Sequence, residues 1–567
     1  MRQAAQRYGR QPLRGGSRQG RVTTGSAIPA PVGGWDAQSP LQAMPAINAV
    51  ILDNFIPRAG YVELRKGFAG HATGYVNPVE TVLVWRGSQN GTDESFACSG
   101  GFIYDATLPS ETLGSPVYSG LSSARFQWVN FANDAGVWLI ACNGVDTPIS
   151  YDGASFAALA ITGSSGPITL QSETLIDVMD HKGRLFWVEK DSLRVWYTGA
   201  QAIQGTANLL DLGPIFDEGG YIVAQGSWSL DGGQGPDDFA VWVTSQGQVA
   251  IFQGVNPNDA TDWAQVGVFN LGIPLGSRCL LRYGSDLVIL TTDGVVPLSQ
   301  ALNLDRAQEN LVALTQKIQN AFAKATQRYQ NNFGWQGILY PKGSLAIYNV
   351  PVSELNRSEQ YVQNVQTGAW CRFTNIDAFC WSIANDRIFF GARDGVYEWD
   401  VAGNDNGEAI IGDLKTAFNY FGSIGSLKKF EMLQPVYRIS YEIAPAIEVL
   451  TDFKEKIPSA QPTFIQPTGA RWDISLWDQG MWAPSTETRD GWTSVTGIGY
   501  CGSVRLRVEV EPIIYIDLGV DSSTSLAYDD VESTDIVAVA DYERSSPVTL
   551  EIVAFNLKYQ NQTGGQL

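Results

Sequence analysis

Leu185-Phe-Trp-Val188, a short polar turn, then Leu193-Arg-Val-Trp-Tyr197 is the stretch whose reading decides the fold. It is an apolar strand that turns at Ser192 and returns through an aromatic-rich strand. The same figure recurs on both sides. Upstream are Phe96-Ala-Cys-Ser-Gly-Gly-Phe-Ile-Tyr-Asp105 and Val137-Trp-Leu-Ile-Ala-Cys-Asn-Gly144, the latter returning through Ile149-Ser-Tyr-Asp152. Downstream are Ala240–Val243 with Val249–Phe252, Leu287–Leu290 with Val295–Leu298, Leu345–Tyr348 with a return through Tyr361, and Arg387–Phe390 with Val396–Trp399. The expected turn residues are Gly100, Gly144, Ser192, Gly247, Gly294, Asn349 and Gly395, separated by 44, 48, 55, 47, 55 and 46 residues. Cys98 and Cys142 each stand two residues before the turn glycine, in consecutive units.

A small sheet cannot bury both of its faces alone. Sheets repeated at this period can cover one another around an axis, as the blades of a propeller. The expectation is a mainly β chain: a β-propeller of about six to eight blades, a helical insertion, and a further β domain at the C-terminal end. The bland alternative is a multi-sheet β protein without radial order.

The expected organisation is an Arg/Gly/Pro-rich arm over 1–34, the propeller over 35–400 and a C-terminal β domain over 401–567. A hairpin pattern around Pro57-Arg-Ala-Gly60 is a candidate to close the ring. Within the array, 303–334 predicts a helix. Asp305 can cap it with Gln308 three residues on, Leu311, Leu314, Ile318, Ala321 and Ala325 form one apolar stripe, and Gly334 ends it. About 25 residues would give a rod of roughly 37 Å. Its stripe either packs on its own propeller or lies in a contact between subunits. Asn404-Asp-Asn-Gly407 reads as a turn that separates array from C-terminal domain. Val504–Val510 alternates with period two, and Thr549–Leu557 is a candidate final strand.

Composition favours strands and turns: 59 Gly, 26 Pro, 17 Trp, 22 Tyr and 24 Phe in 567 residues. No apolar run approaches the roughly 18 residues of a membrane-spanning helix, and no secretory signal is expected. The net charge of −20 argues against a nucleic-acid reader, which shows a basic footprint. The exception is the start of the chain. Arg2, Arg7, Arg10, Arg14, Arg18 and Arg21 precede the first acid, Asp36; taking these six charges away leaves −26 on the rest. The segment is either a solvated tail or an arm that orders against an acidic surface, such as that of a neighbouring copy.

Candidate chemistry is sparse. His71 and His181 are the only histidines, and neither stands near a nucleophile motif. The six cysteines form no CxxC, so a structural zinc site is not expected, and they read as small buried hydrophobes. No phosphate-binding GxxxxGK[ST] occurs. No catalytic residue, cofactor or metal is expected. A propeller glycosidase working through paired carboxylates is the runner-up enzyme class, although the Ser-x-Asp-x-Gly-x-x-Trp decoration of sialidase blades is missing. The cluster Trp472-Asp473-Ile-Ser-Leu-Trp477-Asp478-Gln-Gly-Met-Trp482 has a five-residue spacing that suits neither helix nor strand. Those tryptophans either fill a core or stack on sugars.

Several segments together resemble a known family. Pro29-Ala-Pro-Val-Gly-Gly-Trp35, Asn48-Ala-Val-Ile-Leu-Asp-Asn-Phe-Ile-Pro57 and Gly60-Tyr-Val-Glu-Leu-Arg-Lys-Gly-Phe68 look like the opening of tail proteins from short-tailed phages. Gly425-Ser-Leu-Lys-Lys-Phe-Glu-Met-Leu-Gln-Pro-Val436 and the Trp-Asp cluster look like their C-terminal half. The family resembled is the tail nozzle, or tail tubular protein B, family. The resemblance implies a non-enzymatic virion protein of the tail, assembled in the host cytoplasm as a homo-oligomeric ring of six. Its partners would be an adapter ring, tail fibres, and genomic double-stranded DNA passing through the lumen without sequence-specific binding.

Overall fold

The computed structural model describes residues 23–88, 91–231, 236–301, 312–440, 442–458, 460, 462–465, 487–511 and 548–562. The chain is mainly β and its array is a propeller. Blades 1 to 4 are four-stranded antiparallel sheets whose strands follow in sequence: Val79–Trp85 to Tyr118–Ser119, Gln127–Asn133 to Phe156–Ala158, Leu175–His181 to Asn208–Asp211, and Ile222–Asp231 to Ala264–Asn270. Blade 5 has three strands between Leu280–Tyr283 and Gly294–Pro297. Blade 7 combines Cys380–Ala384, Arg387–Gly391 and Gly395–Ala402 with the N-terminal strand Gly67–Thr73 as its outermost member. These six sheets stand free. A seventh unit of the same form, blade 6, runs from Gln336–Tyr340 to Trp370–Phe373 and merges into a larger sheet. The first strand of each blade touches the first strand of the next, with Asn130 bonding the Val84 carbonyl between blades 1 and 2, and Val79–Trp85 touches Cys380–Ala384, so the circle is closed.

The packing explains why the period works. Separate apolar clusters lie in the gaps between blades. Leu83, Phe96 and Phe126 meet Leu139 and Tyr151 between blades 1 and 2. Ile140 and Cys142 meet Trp187 and Trp196 between 2 and 3. Phe186 and Tyr197 meet Trp242 and Phe252 between 3 and 4, and Val79 and Val82 meet Cys380 and Phe389 across the closure. Each blade is therefore buried by its neighbours, and large aromatics fill the wedge that widens away from the axis. All seven hairpins in the sequence are the second and third strands of a blade. Asn349 is the one misplaced turn: it lies fully buried inside the strand Leu345–Ser353, where its amide donates to the Gly334 and Ala378 carbonyls. The six cysteines are all free and buried.

The ring is closed by Gly67–Thr73, not by the hairpin before it. That hairpin, Phe55–Pro57 with Val62–Leu64, belongs to a seven-stranded sheet built on Leu550–Gln562 and Leu427–Ile439. Asn48–Asp53 joins a nine-stranded sheet that continues blade 6 through Ile410–Thr416, Gly502–Val510 and Ala446–Thr451. Thr23–Pro29 adds to the final strand in antiparallel register. Sheet membership thus crosses the boundaries expected at 34–35 and 400–401, and the C-terminal module contains residues 23–64. The two larger sheets share one core with blades 5 to 7, including Phe55, Leu64, Leu414, Phe430, Val508 and Phe555.

Among the described residues the long helical rod is not found. A helical turn spans Leu298–Ala301, a 3-10 turn spans Leu314–Ile318, and an α-helix spans only Gln319–Tyr329, about 16 Å. Asp305, Gln308 and Leu311 lie outside the described residues. Ala313 is extended (φ −61°, ψ 132°), which breaks the helical path, and the Val295 amide donates to the Thr315 hydroxyl, tying the next turn to blade 5. Periodicity alone did not reveal this tertiary anchor.

Candidate functional site

The sequence-derived site residues fall in two groups. Arg2, Arg7, Arg10, Arg14, Arg18 and Arg21, Leu311, and Trp472, Asp473, Trp477, Asp478 and Trp482 lie outside the described residues. Leu314 is half-buried, while Ile318 and Phe322 are fully buried in this chain's own core. The helical stripe therefore packs on its own propeller, and Ile318 keeps no surface for a neighbour.

The propeller axis is the first place where chemistry converges. Every blade sends its first strand there, and the walls enclose a cavity of about 280 Å³ lined by Thr81, Gln127, Asp177, Gln225, Arg278 and Gln336 among others. Most of these groups satisfy one another. Thr81 Oγ1 donates to the Ala124 carbonyl and accepts from the Phe126 amide and from Arg278 Nη2. The Gln225 side chain bridges the Phe186 carbonyl and the Trp242 indole. Asp177 is buried without a cation beside it. Its two oxygens accept the Val178 and Gln225 amides, both at 2.9 Å, yet burial pushes its carboxyl up to about 7. At one mouth the Phe333 ring, from the loop after the α-helix, lies between the guanidinium carbons of Arg125 at 4.1 Å and Arg278 at 5.1 Å. A space of about 280 Å³ is too small to hold a duplex, whose major groove alone is about 12 Å wide.

The second convergence is the joint between closing strand and C-terminal module. Arg65 is 1% exposed and uses all its donors. Nε donates to Asn54 Oδ1 (2.8 Å), Nη1 to Asp405 Oδ1 (2.7 Å) and the Lys66 carbonyl (3.1 Å), and Nη2 to Asp405 Oδ2 (2.6 Å) and the Thr374 carbonyl (2.9 Å). Asn54, at φ 60°, returns bonds to Thr374 and the Ile411 carbonyl. Asp405 comes from the sequence read as a simple turn; Asn404 does supply that turn by accepting the Gly407 amide. At Gly67 the closing strand runs so close that an added Cβ would sit 1.7 Å from the Asn404 carbonyl oxygen. Neither Arg65 nor Asp405 carries a local sequence signal, because 340 residues separate them. Beside the joint lies an open cleft of about 600 Å³, with Asn375, Asp377, Arg393, Asp394 and Glu408 at its rim and Phe68 and Tyr397 at its floor.

The histidines are structural. His71 Nε2 bonds the Ala106 carbonyl and His181 Nε2 the Gly254 carbonyl, and burial lowers the pKa of both. Among the described residues no group of three or more His, Cys, Asp or Glu could hold a metal ion, and no helix is long and apolar enough to cross a membrane.

No family model matches this chain, and no curated protein matches it. Among solved structures it is similar to a quinoprotein alcohol dehydrogenase-like protein from Bacteroides thetaiotaomicron, with 12% identity, 60% of this chain and 79% of that chain covered, and a TM-score of 0.33. It is also similar to YCF48 from Cyanidioschyzon merolae, with 12% identity, 58% and 96% covered, and a TM-score of 0.33. Raptor from Chaetomium thermophilum matches at 8% identity over 58% of this chain and 28% of that one, with a TM-score of 0.33. Scores this low carry no functional argument; the propeller assignment rests on the sheet order and the closed circle of blades.

Proposed function

We propose that this protein is a structural component of a short-tailed phage tail: a nozzle subunit that assembles as a ring of six, closes the ejection channel and then conducts DNA. The observation that carries the reading is where the family-like segments fall. Asn48–Pro57 and Gly60–Phe68 supply the strands of the joint, Arg65 and the start of the closing strand, and Gly425–Val436 enters the long strand Leu427–Ile439. These segments of the resemblance thus fall in the parts that unite propeller and second module into one body. A conduit wall needs such a body, because a ring of copies must hold its bore against the passing genome. With the propeller axis too narrow for a duplex, the bore runs between copies, each contributing a heterologous contact to its neighbour. The excess of acid suits a wall that repels phosphates and does not retain the genome. The protein acts without catalysis, and it meets an adapter ring above and fibres at its flank.

Electron microscopy of the purified full-length protein tests this directly. A sixfold ring with a central pore is expected; isolated monomers at every concentration would remove the reading. Deleting residues 1–22 is expected to impair ring formation in native mass measurements, and unimpaired rings would take the arginine arm out of assembly. A receptor- or carbohydrate-binding propeller is the second reading, favoured by the amide- and carboxylate-rimmed cleft beside the joint. Selective glycan binding by a protein that forms no ring would favour it.

A further inference from the structure

We infer that the cavity on the propeller axis is a binding site for a small oxyanion, a phosphate or carboxylate group, held by the guanidinium of Arg278. Nothing in this depends on the nozzle reading. Arg278 comes from the segment just before blade 5 and reaches across to blades 1 and 2. There Nη2 donates to the Glu80 carbonyl (3.1 Å), Thr81 Oγ1 (2.7 Å) and the Phe126 carbonyl (3.2 Å). Every one of these acceptors is neutral, so the positive charge has no carboxylate bonded to it. Nη1 is buried and has no hydrogen-bond partner among the described residues. A buried guanidinium that keeps free donors is costly, and an oxyanion is the ligand that matches both its charge and its planar donors. The Phe333 ring lies 5.1 Å from the guanidinium carbon, and the Arg278 side chain is among those that line the cavity.

The surroundings set the size and the pH behaviour. About 280 Å³ is the space of roughly nine waters at ~30 Å³ each, enough for a phosphate or a short carboxylate with some hydration, and far too little for a polymer. A second hollow, lined in part by Arg125, Ser277 and Phe333, adjoins the cavity and shares Gln127, Ser277 and Arg278 with it. Across the cavity stands Asp177. The groups that sense its charge are the thiols of Cys142 and Cys279; those that sense Arg278 are Glu80, Arg125, Cys98 and Cys380. Burial alone lifts the Asp177 carboxyl to about 7, and an anion bound beside it raises it further. Below neutrality Asp177 is therefore a neutral donor that tolerates the anion; above it, a second negative charge opposes binding. Oxyanion uptake carries a proton with it, and affinity falls as pH rises through 7.

The test is calorimetric titration of the purified full-length protein at constant ionic strength. Inorganic phosphate and acetate serve as separate probes for the two anion types. Sulfate, whose charge does not change between pH 6 and 8, serves for the pH series. Saturable binding of at least one probe in the millimolar range or tighter is expected, weakening from pH 6 to 8. Arg278→Gln should lower the affinity at least about tenfold. Because Arg278 also ties three backbone and side-chain acceptors, that variant can fail to fold, so Gln127→Glu is the second variant. Gln127 is half-buried on the same wall, and a carboxylate there should weaken binding by a similar factor. Absence of saturable binding for all three probes overturns the proposal. So does affinity unchanged in a folded Arg278→Gln or in Gln127→Glu.

Discussion

Two buried carboxylates, Asp405 and Asp177, face opposite electrostatic situations in one chain. Asp405 at the joint is 3% exposed and accepts a two-pronged bond from a guanidinium that is itself 1% exposed. Asp177 on the axis is 7% exposed and has only two backbone amides. The first is held by charge and geometry together, and it ties three segments: the closing strand, the end of blade 6 and the start of the C-terminal module. The second is held by neutralisation, because a carboxyl without a cation takes up a proton when water is removed. The contrast separates two uses of buried charge. A fully satisfied pair fixes one arrangement of two modules, whereas a lone acid leaves a site that responds to pH and to what approaches it.

The comparison breaks most visibly at Arg65. Arg65→Met leaves Asp405 buried in the joint without its partner, where it must either stay charged or take up a proton, and the expected loss is about 3–5 kcal/mol, read as a lowered denaturant midpoint. Adding Asp405→Leu to the same protein should recover most of that loss, since two apolar groups of similar volume replace the pair. If the single variant is as stable as the parent, the joint is not organised by this pair.

The second prediction concerns Asp177, and its sign follows from proton counting. An unfolded Asp titrates near 3.9, while burial lifts the folded carboxyl to about 7. Between these values the folded state binds more protons than the unfolded one. Stability is therefore full below about pH 4 in this respect and is lost as pH rises toward 7. The loss is on the order of 4 kcal/mol at most, at 1.36 kcal/mol per pKa unit. Asp177→Asn removes the titration but gives up one amide acceptor, at about 1 kcal/mol. Thermal unfolding curves of parent and variant should cross between pH 5 and 8, with the variant the more stable at pH 8. Parallel pH dependences would show that Asp177 stays ionised in the folded protein.

These two acids also show where reading a sequence succeeds and where it stops. The blades were legible because strand pairs adjacent in sequence repeat a local pattern: Leu185–Val188 with Leu193–Tyr197 carries its own alternation and turn. The outer strands were harder to see, because Tyr118–Ser119 and Phe156–Ala158 are two and three residues long. The closing strand Gly67–Thr73 was missed because its partner lies more than 300 residues away, and no local period announces such a pairing. Asp405 reads as part of a turn for the same reason. The 303–334 stripe reads as a rod because helical periodicity is blind to the extended Ala313. Asp177 had no signal at all; one acid in a strand means nothing until seven inner strands meet around it.

A smaller effect sharpens the comparison by removing burial while keeping the ion pair. Arg438 Nη1 lies 3.4 Å from Glu551 Oε2 across two strands of the seven-stranded sheet, with the arginine side chain 57% exposed. Water already solvates this guanidinium, so forming the pair gains little and breaking it leaves no stranded charge. Arg438→Gln is expected to shift stability by less than about 1 kcal/mol, and raising salt should reduce even that. Side by side with Arg65→Met, the measurement brings out desolvation, because both pairs join an arginine to a carboxylate distant in sequence and differ chiefly in burial. A loss at Arg438 as large as that at Arg65 would mean that pairing, and not burial, sets the strength of the joint, and the distinction between Asp405 and Asp177 would then have to be rebuilt on hydrogen-bond geometry alone.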